Sequence, residues 1–104
     1  MFSISENCGV PSENMRSIVN AIKQNRKVNK IILFGSRAKG NYKKGSDIDI
    51  AILADELSFD ELNQIKVNVN EFMLPYNIDL IDFNKITDIA LRDHILRVGK
   101  VIDA

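Results

Sequence analysis

The sequence has one cysteine, one histidine, no tryptophan, two prolines and five glycines in 104 residues. A lone Cys8 cannot build an internal disulfide framework, and it fits a reducing cytoplasm. One Cys with one His leaves a structural zinc site without its ligands. No apolar run approaches the ~20 residues that cross a bilayer. Residues Met1 to Val10 lack both a basic n-region and an apolar h-region, so no secretory signal is expected there. Net charge is missing too: 14 basic and 14 acidic residues cancel. A neutral chain lacks the electrostatic footprint of a general nucleic-acid binder. There is no internal repeat, low-complexity tract or linker. Hydrophobic residues make up 45% and charged residues 27%, the balance of a globular domain. The length suits one domain, residues 1–104, with a single core.

What is present reads as helices interleaved with strands. Pro11 and Ser12 open a helix, with Ser12 as the N-cap candidate. Met15, Ile18, Val19 and Ile22 recur at helical spacing, which predicts a helix ending near Lys27. Lys30 to Phe34 is an apolar run cut off by Gly35, a strand buried on both faces. Gly35 to Gly45 reads as a turn, a brief helix and a loop. Ser46 to Leu53 alternates, so Ile48, Ile50 and Ile52 share a core face. Ser58 with Glu61 is a capping box. Behind it Leu62, Ile65, Val69, Phe72 and Met73 form an apolar helical face that Pro75 ends. Asn77 to Asp82 is a further strand. Thr87 to Arg97 is a last helix with Leu91 and Ile95 inward and Gly99 near its C-cap. Val101 and Ile102 add a small closing strand. The expected fold class is α/β (α+β): a small mixed β-sheet with helices packed on it, their distribution over its faces left open.

Charge is unevenly placed. Arg37, Lys39, Lys43 and Lys44 fall in a stretch without an acid, and Asp47 and Asp49 follow. As i and i+2 on a strand, the two carboxylates project from one face, ~6.5 Å apart. Like charges so placed raise each other's pKa unless a cation sits between them. An all-oxygen donor set suits Mg²⁺, which keeps waters and substrate phosphates in its shell. Upstream, Gly35 and Ser36 close a buried strand, and the backbone of such a turn can cradle an anion. The Walker spacing and the Gly-x-Ser-x-Gly elbow are both absent. Asp79, on the third strand, joins Asp47 and Asp49 if the strands are neighbours. Three carboxylates can hold two Mg²⁺ ions for in-line displacement at phosphorus. Asp82 competes with Asp79 for this role. Asp79 is preferred because Ile78 and Leu80 beside it would fill the core face. Singly, each piece has a plainer reading: two acids on a solvated face, a simple turn, a boundary histidine at His94, and at Cys8 a small residue in a frayed terminus.

Taken jointly, Gly35-Ser36-Arg37-Ala38-Lys39-Gly40 followed by Ser46-Asp47-Ile48-Asp49-Ile50-Ala51-Ile52 resembles the Gly-Ser-x(10)-Asp-x-Asp signature of the DNA polymerase β nucleotidyltransferase superfamily. The nearest likeness is to its smallest members, the minimal nucleotidyltransferase (MNT) proteins. Ile78 to Asp82 resembles the strand carrying that family's third acid. The likeness covers roughly residues 15–102. It implies that Gly35, Ser36 and Arg37 bind the nucleotide, and that Asp47, Asp49 and Asp79 are catalytic and hold two Mg²⁺ ions. Lys39 departs from the pattern, which more often has Arg there, keeping the charge but losing the bidentate fork.

About 100 residues leave no room for an acceptor-binding domain, so the acceptor is expected on a partner. In the MNT family the usual partner is a helical HEPN toxin, and the MNT antitoxin can transfer AMP from ATP to a tyrosine of it. The resemblance therefore implies a Mg²⁺-dependent, cytoplasmic protein adenylyltransferase that uses ATP and has a HEPN-type partner and no membrane. Two alternatives stand beside it: an antitoxin that acts by binding alone, and a small-molecule nucleotidyltransferase. Homo- or hetero-oligomerisation is left open.

Overall fold

The computed structural model describes residues 8–103. In chain order these form α1 (Ser12–Lys23), β1 (Val28–Phe34), α2 (Gly35–Lys39), β2 (Ile48–Ala54), α3 (Phe59–Asn70), β3 (Ile78–Asp82), a 3₁₀ turn (Phe83–Lys85), α4 (Ile89–Val98) and β4 (Lys100–Asp103). The four strands make one sheet in the order β3-β2-β1-β4. β1 is antiparallel to both β2 and β4, whereas β2 and β3 are parallel. A parallel pair needs a crossover, and α3 supplies it. No helix among the described residues is long and apolar enough to cross a membrane.

Strand alternation sorts the core into two layers. Ile48, Ile50 and Ile52 are fully buried on the face that receives Met15, Ile18 and Ile22 of α1 and Ile65 and Val69 of α3. Ala51 of β2, with Ile32 and Phe34 of β1, faces the other way, against Ile95 of α4 and Phe83. Helices therefore cover both faces. Each of these buried isoleucines contributes about 1.5–3 kcal/mol of apolar burial. On the α4 side, the β2 residue before Ala51 is Asp49 rather than an apolar group, and Asp47 lies just ahead of the strand. The core on that side stops where the acids begin.

Several element ends differ from the sequence expectation. α1 is preceded by Pro11, whose carbonyl accepts from the Asn14 and Met15 amides at 3.0 and 3.1 Å, and Ser12 is already helical. The helix stops at Lys23 rather than Lys27. The Asn25 carbonyl and side chain take the Val28 and Lys27 amides at 3.2 and 2.9 Å, and that turn starts β1 two residues early. α3 ends at Asn70, not at Met73. Met73 has a φ of 51° and its side chain is 88% exposed. Leu74 precedes Pro75 and is steered away from helical torsions, so Phe72 and Met73 leave the core stripe. Asp88 caps α4 by accepting from the Ala90 amide at 3.0 Å, which moves the start from Thr87 to Ile89. The capping box of Ser58 and Glu61 is present in both directions, at 3.1 and 2.9 Å.

Cys8 corrects another expectation. It is completely buried and packs in the α1–α3 core layer rather than fraying. Gly99 ends α4 with an ordinary φ of −65°, so torsion does not explain it. A Cβ there would strike the Ile95 carbonyl oxygen and, at 2.5 Å, Ile32 Cγ2. Gly99 lets the end of α4 lie directly on β1.

Candidate active site

β1 delivers the first part of the site. Phe34 is extended, and Gly35 then turns the chain into α2 with a φ of 76°. That torsion is strained for any side chain. Space is lacking as well, because a Cβ on Gly35 would land on the Asp49 carboxylate oxygen. The turn that carries Gly35 and Ser36 thus lies against the side chain of Asp49. Ala38 and Arg37 anchor α2 by burial, and Gly40 ends it.

Strand register delivers the second part. Phe34 pairs with Asp49 across β1 and β2, and Asp49 pairs with Asp79 across β2 and β3. Phe34, Asp49 and Asp79 therefore form one row across three strands, on the α4 side of the sheet. His94 of α4 meets Phe34 edge-on, with ring centroids 6.4 Å apart. Asp49 is half-buried and Asp79 is exposed. Burial pushes the Asp49 carboxyl above its ordinary pKa, and the charges of Asp79 and then Asp47 push it further the same way.

Asp47 stands just outside the ladder, since β2 begins at Ile48. Its Oδ1 accepts from Asn77 Nδ2 at 3.3 Å, and the Ile48 amide donates to the Asn77 carbonyl at 2.9 Å. The structure thus brings Asp79 and Asp47 each into electrostatic range of Asp49. Among the described residues, however, no three acidic, Cys or His side chains are already gathered to hold an ion. These two observations agree if three like charges face the same region without converging. The donor set is all carboxylate oxygen and lies beside a sharp backbone turn, which fits a hard divalent cation shared with phosphate oxygens.

Asp82 is placed elsewhere. It is 6% exposed, accepts from the Asn84 amide at 3.0 Å and lies 3.9 Å from Lys85 Nζ. It caps the 3₁₀ turn and pairs in register with Ile52, away from Asp49.

Arg37, expected at the nucleotide, is engaged with the protein itself. Its side chain is buried, 3% exposed, and its donors go to backbone carbonyls. Nη1 reaches Cys8 O at 2.6 Å, while Nε and Nη2 reach Ser46 O at 3.1 and 2.9 Å. The guanidinium also lies 5.0 Å from the Tyr42 ring centre and 5.2 Å from that of Tyr76. Lys39, Lys43 and Lys44 remain exposed. Arg37, the two tyrosines and Lys43 and Lys44 line an open cavity of about 320 Å³. Sequence reasoning did not find Asn77, Tyr42 or Tyr76. Their roles come from contacts made across the fold, and no local spacing signals them.

A mixed sheet that presents adjacent carboxylates beside a strand–turn–helix corner is the layout of a nucleotidyl-transferring domain. A family model, polymerase beta nucleotidyltransferase, matches residues 16–103. The chain belongs to that family. A Haemophilus influenzae protein named as a probable protein adenylyltransferase, MntA, is 40% identical over 70 residues, which cover 66% of this chain and 60% of that protein. A Methanocaldococcus jannaschii protein, provisionally named protein adenylyltransferase MJ0604, is 32% identical over 97 residues, covering 85% of this chain and 93% of the other. The match thus spans less than two thirds of the Haemophilus protein and nearly all of the Methanocaldococcus one. A toxin–antitoxin crystal structure with AMP-PNP superposes with a TM-score of 0.73 at 28% identity, covering 88% of this chain and 73% of that one. A complex of tri-AMPylated Shewanella oneidensis HEPN toxin with MNT antitoxin gives a TM-score of 0.68 at 26% identity, covering 88% and 71%. The fold is that of the polymerase-β-like nucleotidyltransferases, and the domain is that of an enzyme.

Proposed function

We propose that the protein transfers AMP from ATP to a hydroxyl of a partner protein, with Mg²⁺, and that it serves in the cytoplasm as antitoxin to a HEPN-type helical toxin. The observation that carries this reading is the pairing of Asp49 with Asp79 directly beside the Gly35 turn. It puts negative charge where a cation and phosphate oxygens would share one shell. The relatives named as protein adenylyltransferases support the reaction class. The neighbours with AMP-PNP and with an AMPylated toxin support the nucleotide and the kind of partner.

In this reading Asp47, Asp49 and Asp79 would hold two Mg²⁺ ions, which when bound neutralise phosphate charge and activate the attacking hydroxyl. Gly35 and Ser36 position the triphosphate through the turn at the end of β1. Asp49 is held between β1 and β3 by the β2 ladder, so its backbone keeps its place as charge moves. Asn77 orients Asp47 through its amide. Positioning and charge neutralisation supply most of the rate in this chemistry, so little else is asked of the chain. The test is mass spectrometry of the partner after incubation with the chain, ATP and Mg²⁺. One added AMP unit on a partner tyrosine is expected. Protection of cells from the toxin with no adduct formed would replace this reading with neutralisation by binding alone.

A further inference from the structure

We infer that Arg37 is a positioning residue for Asp47, acting through the Ser46 carbonyl; the inference rests on the reading of Asp47 as a metal ligand. Asp49 and Asp79 are held by the sheet ladder, but Asp47 precedes it and needs another support. The local turn supplies part of that support: the Ser46 amide donates to Lys43 O at 2.9 Å, and the Lys43 amide donates to Ser46 Oγ at 2.8 Å. Two nitrogens of the Arg37 fork then close on the Ser46 carbonyl, which fixes the peptide leading into Asp47.

The same guanidinium lies on the ring of Tyr76. Tyr76 immediately precedes Asn77, whose amide binds the Asp47 carboxylate. Arg37 thus touches the residue before Asp47 and the residue before Asp47's hydrogen-bond partner. It sits one residue after Ser36, so the nucleotide-binding turn and Asp47 are referred to one buried group. None of the ion pairs among the described residues involves Arg37. No such pair accounts for this buried cation; its donors go to the Ser46 and Cys8 carbonyls, which an apolar residue would leave unpaired. Its fork geometry serves both carbonyls, and lysine cannot copy that geometry.

The test uses the full chain as Arg37→Lys, with Asn77→Ala as a second variant whose side chain is exposed and whose loss should leave the fold intact. Calorimetry measures Mn²⁺ and Mg²⁺ binding in the presence of ATP, and hydrogen exchange follows the peptide containing Ser46 and Asp47. Removing a support behind a metal ligand is expected to weaken metal affinity about ten-fold in Arg37→Lys and less in Asn77→Ala. ATP affinity at saturating metal should stay within about two-fold, because the binding turn itself is intact. Exchange at Ser46–Asp47 should quicken while that of β2 does not change. Loss of ATP affinity with an unchanged metal requirement would make Arg37 a nucleotide contact and overturn the inference. A lower melting temperature with metal affinity and local exchange both unchanged would make it structural only. If the wild type binds ATP without needing metal, the proposed function fails. Hydrogen exchange at Asp47 then still decides whether Arg37 positions it.

Discussion

Asp49 and Asp79 stand opposite each other on parallel strands, and Asp49 also lies against the only face that Gly35 offers to a side chain. The fold thereby forces a half-buried carboxylate to share its surroundings with another acid. Its pKa rises through burial first and through Asp79 and Asp47 after that. A raised folded-state pKa means that the folded chain holds this proton more tightly than the unfolded chain. The group's contribution to stability is therefore fully present below its ordinary value of 3.8 and declines as pH rises through the folded value. Asp49→Asn should remove that decline, so melting temperature at neutral pH should hold or increase, while metal-dependent ATP binding disappears. Melting curves from acid to neutral pH, with calorimetry on the same samples, check both halves. A clear fall in neutral-pH stability would mark Asp49 as a structural partner instead.

Glu61 shows the opposite sign. Hydrogen bonding from the Ser58 amide lowers its pKa most, Lys27 adds to this, and the result is about 2. Here the unfolded chain binds the proton more tightly. Its stabilisation is present above the ordinary value of 4.5 and is lost as pH falls toward 2. Glu61→Gln should flatten the acid limb of the melting-temperature profile by lowering stability at neutral pH toward its acid value, with little change at the acid end. Ser58→Ala should cost about 1 kcal/mol across the whole range by removing the cap of α3. An unchanged acid limb in Glu61→Gln would show that the capping box does not set it.

The layered sheet was legible because Ile48, Ile50 and Ile52 recur at every second residue along β2 and β1 ends in a continuous apolar run, although Ala51 between the isoleucines is buried as well. The preference for Asp79 over Asp82 rested on Ile78 and Leu80, and the structure places Leu80 in the core, Asp79 opposite Asp49 and Asp82 at a turn. Arg37 could not be read the same way. Its partners are carbonyl groups, which every residue carries, so no sequence pattern announces them. Phe72 and Met73 fit the helical period of α3, yet the helix had already ended, because periodicity registers side chains and not the backbone turn before Pro75. The burial of Cys8 was hidden for a related reason: it depends on α1 and α3 closing around the start of the described chain.

Gly35 and Gly99 offer a controlled comparison. At Gly35 both torsion and space oppose a side chain, whereas at Gly99 the φ is ordinary and only space opposes it. Gly35→Ala should cost about 1–2 kcal/mol in backbone strain, with further loss from displacing Asp49. Nucleotide binding should fail with it. Gly99→Ala should also destabilise, by pushing α4 off β1, but below its melting point it should keep metal-dependent ATP binding. Chemical denaturation measures the first effect and calorimetry the second. Equal nucleotide affinity in wild type and Gly35→Ala would remove the turn from the active site.

Catalysis and simple binding make different demands on the three acids. AMP transfer needs charge neutralisation at the three acids, whereas holding a partner needs complementary surface, and an exposed carboxylate need not contribute to that. Asp47 is the best residue for the comparison. It lies outside the ladder, is exposed, and among the described residues accepts a side-chain hydrogen bond from Asn77 alone. Asp47→Ala should therefore fold with wild-type stability to within about 0.5 kcal/mol, as surface substitutions usually do. It should lose formation of the AMP adduct on the HEPN-type chain yet still co-purify with it. Mass spectrometry of the partner and pull-down of the complex read the two properties separately. If the variant binds the toxin but no longer protects cells, modification is what neutralises the toxin. If it binds and protects without leaving an adduct, the acids are dispensable for neutralisation, and the protein acts by covering its partner.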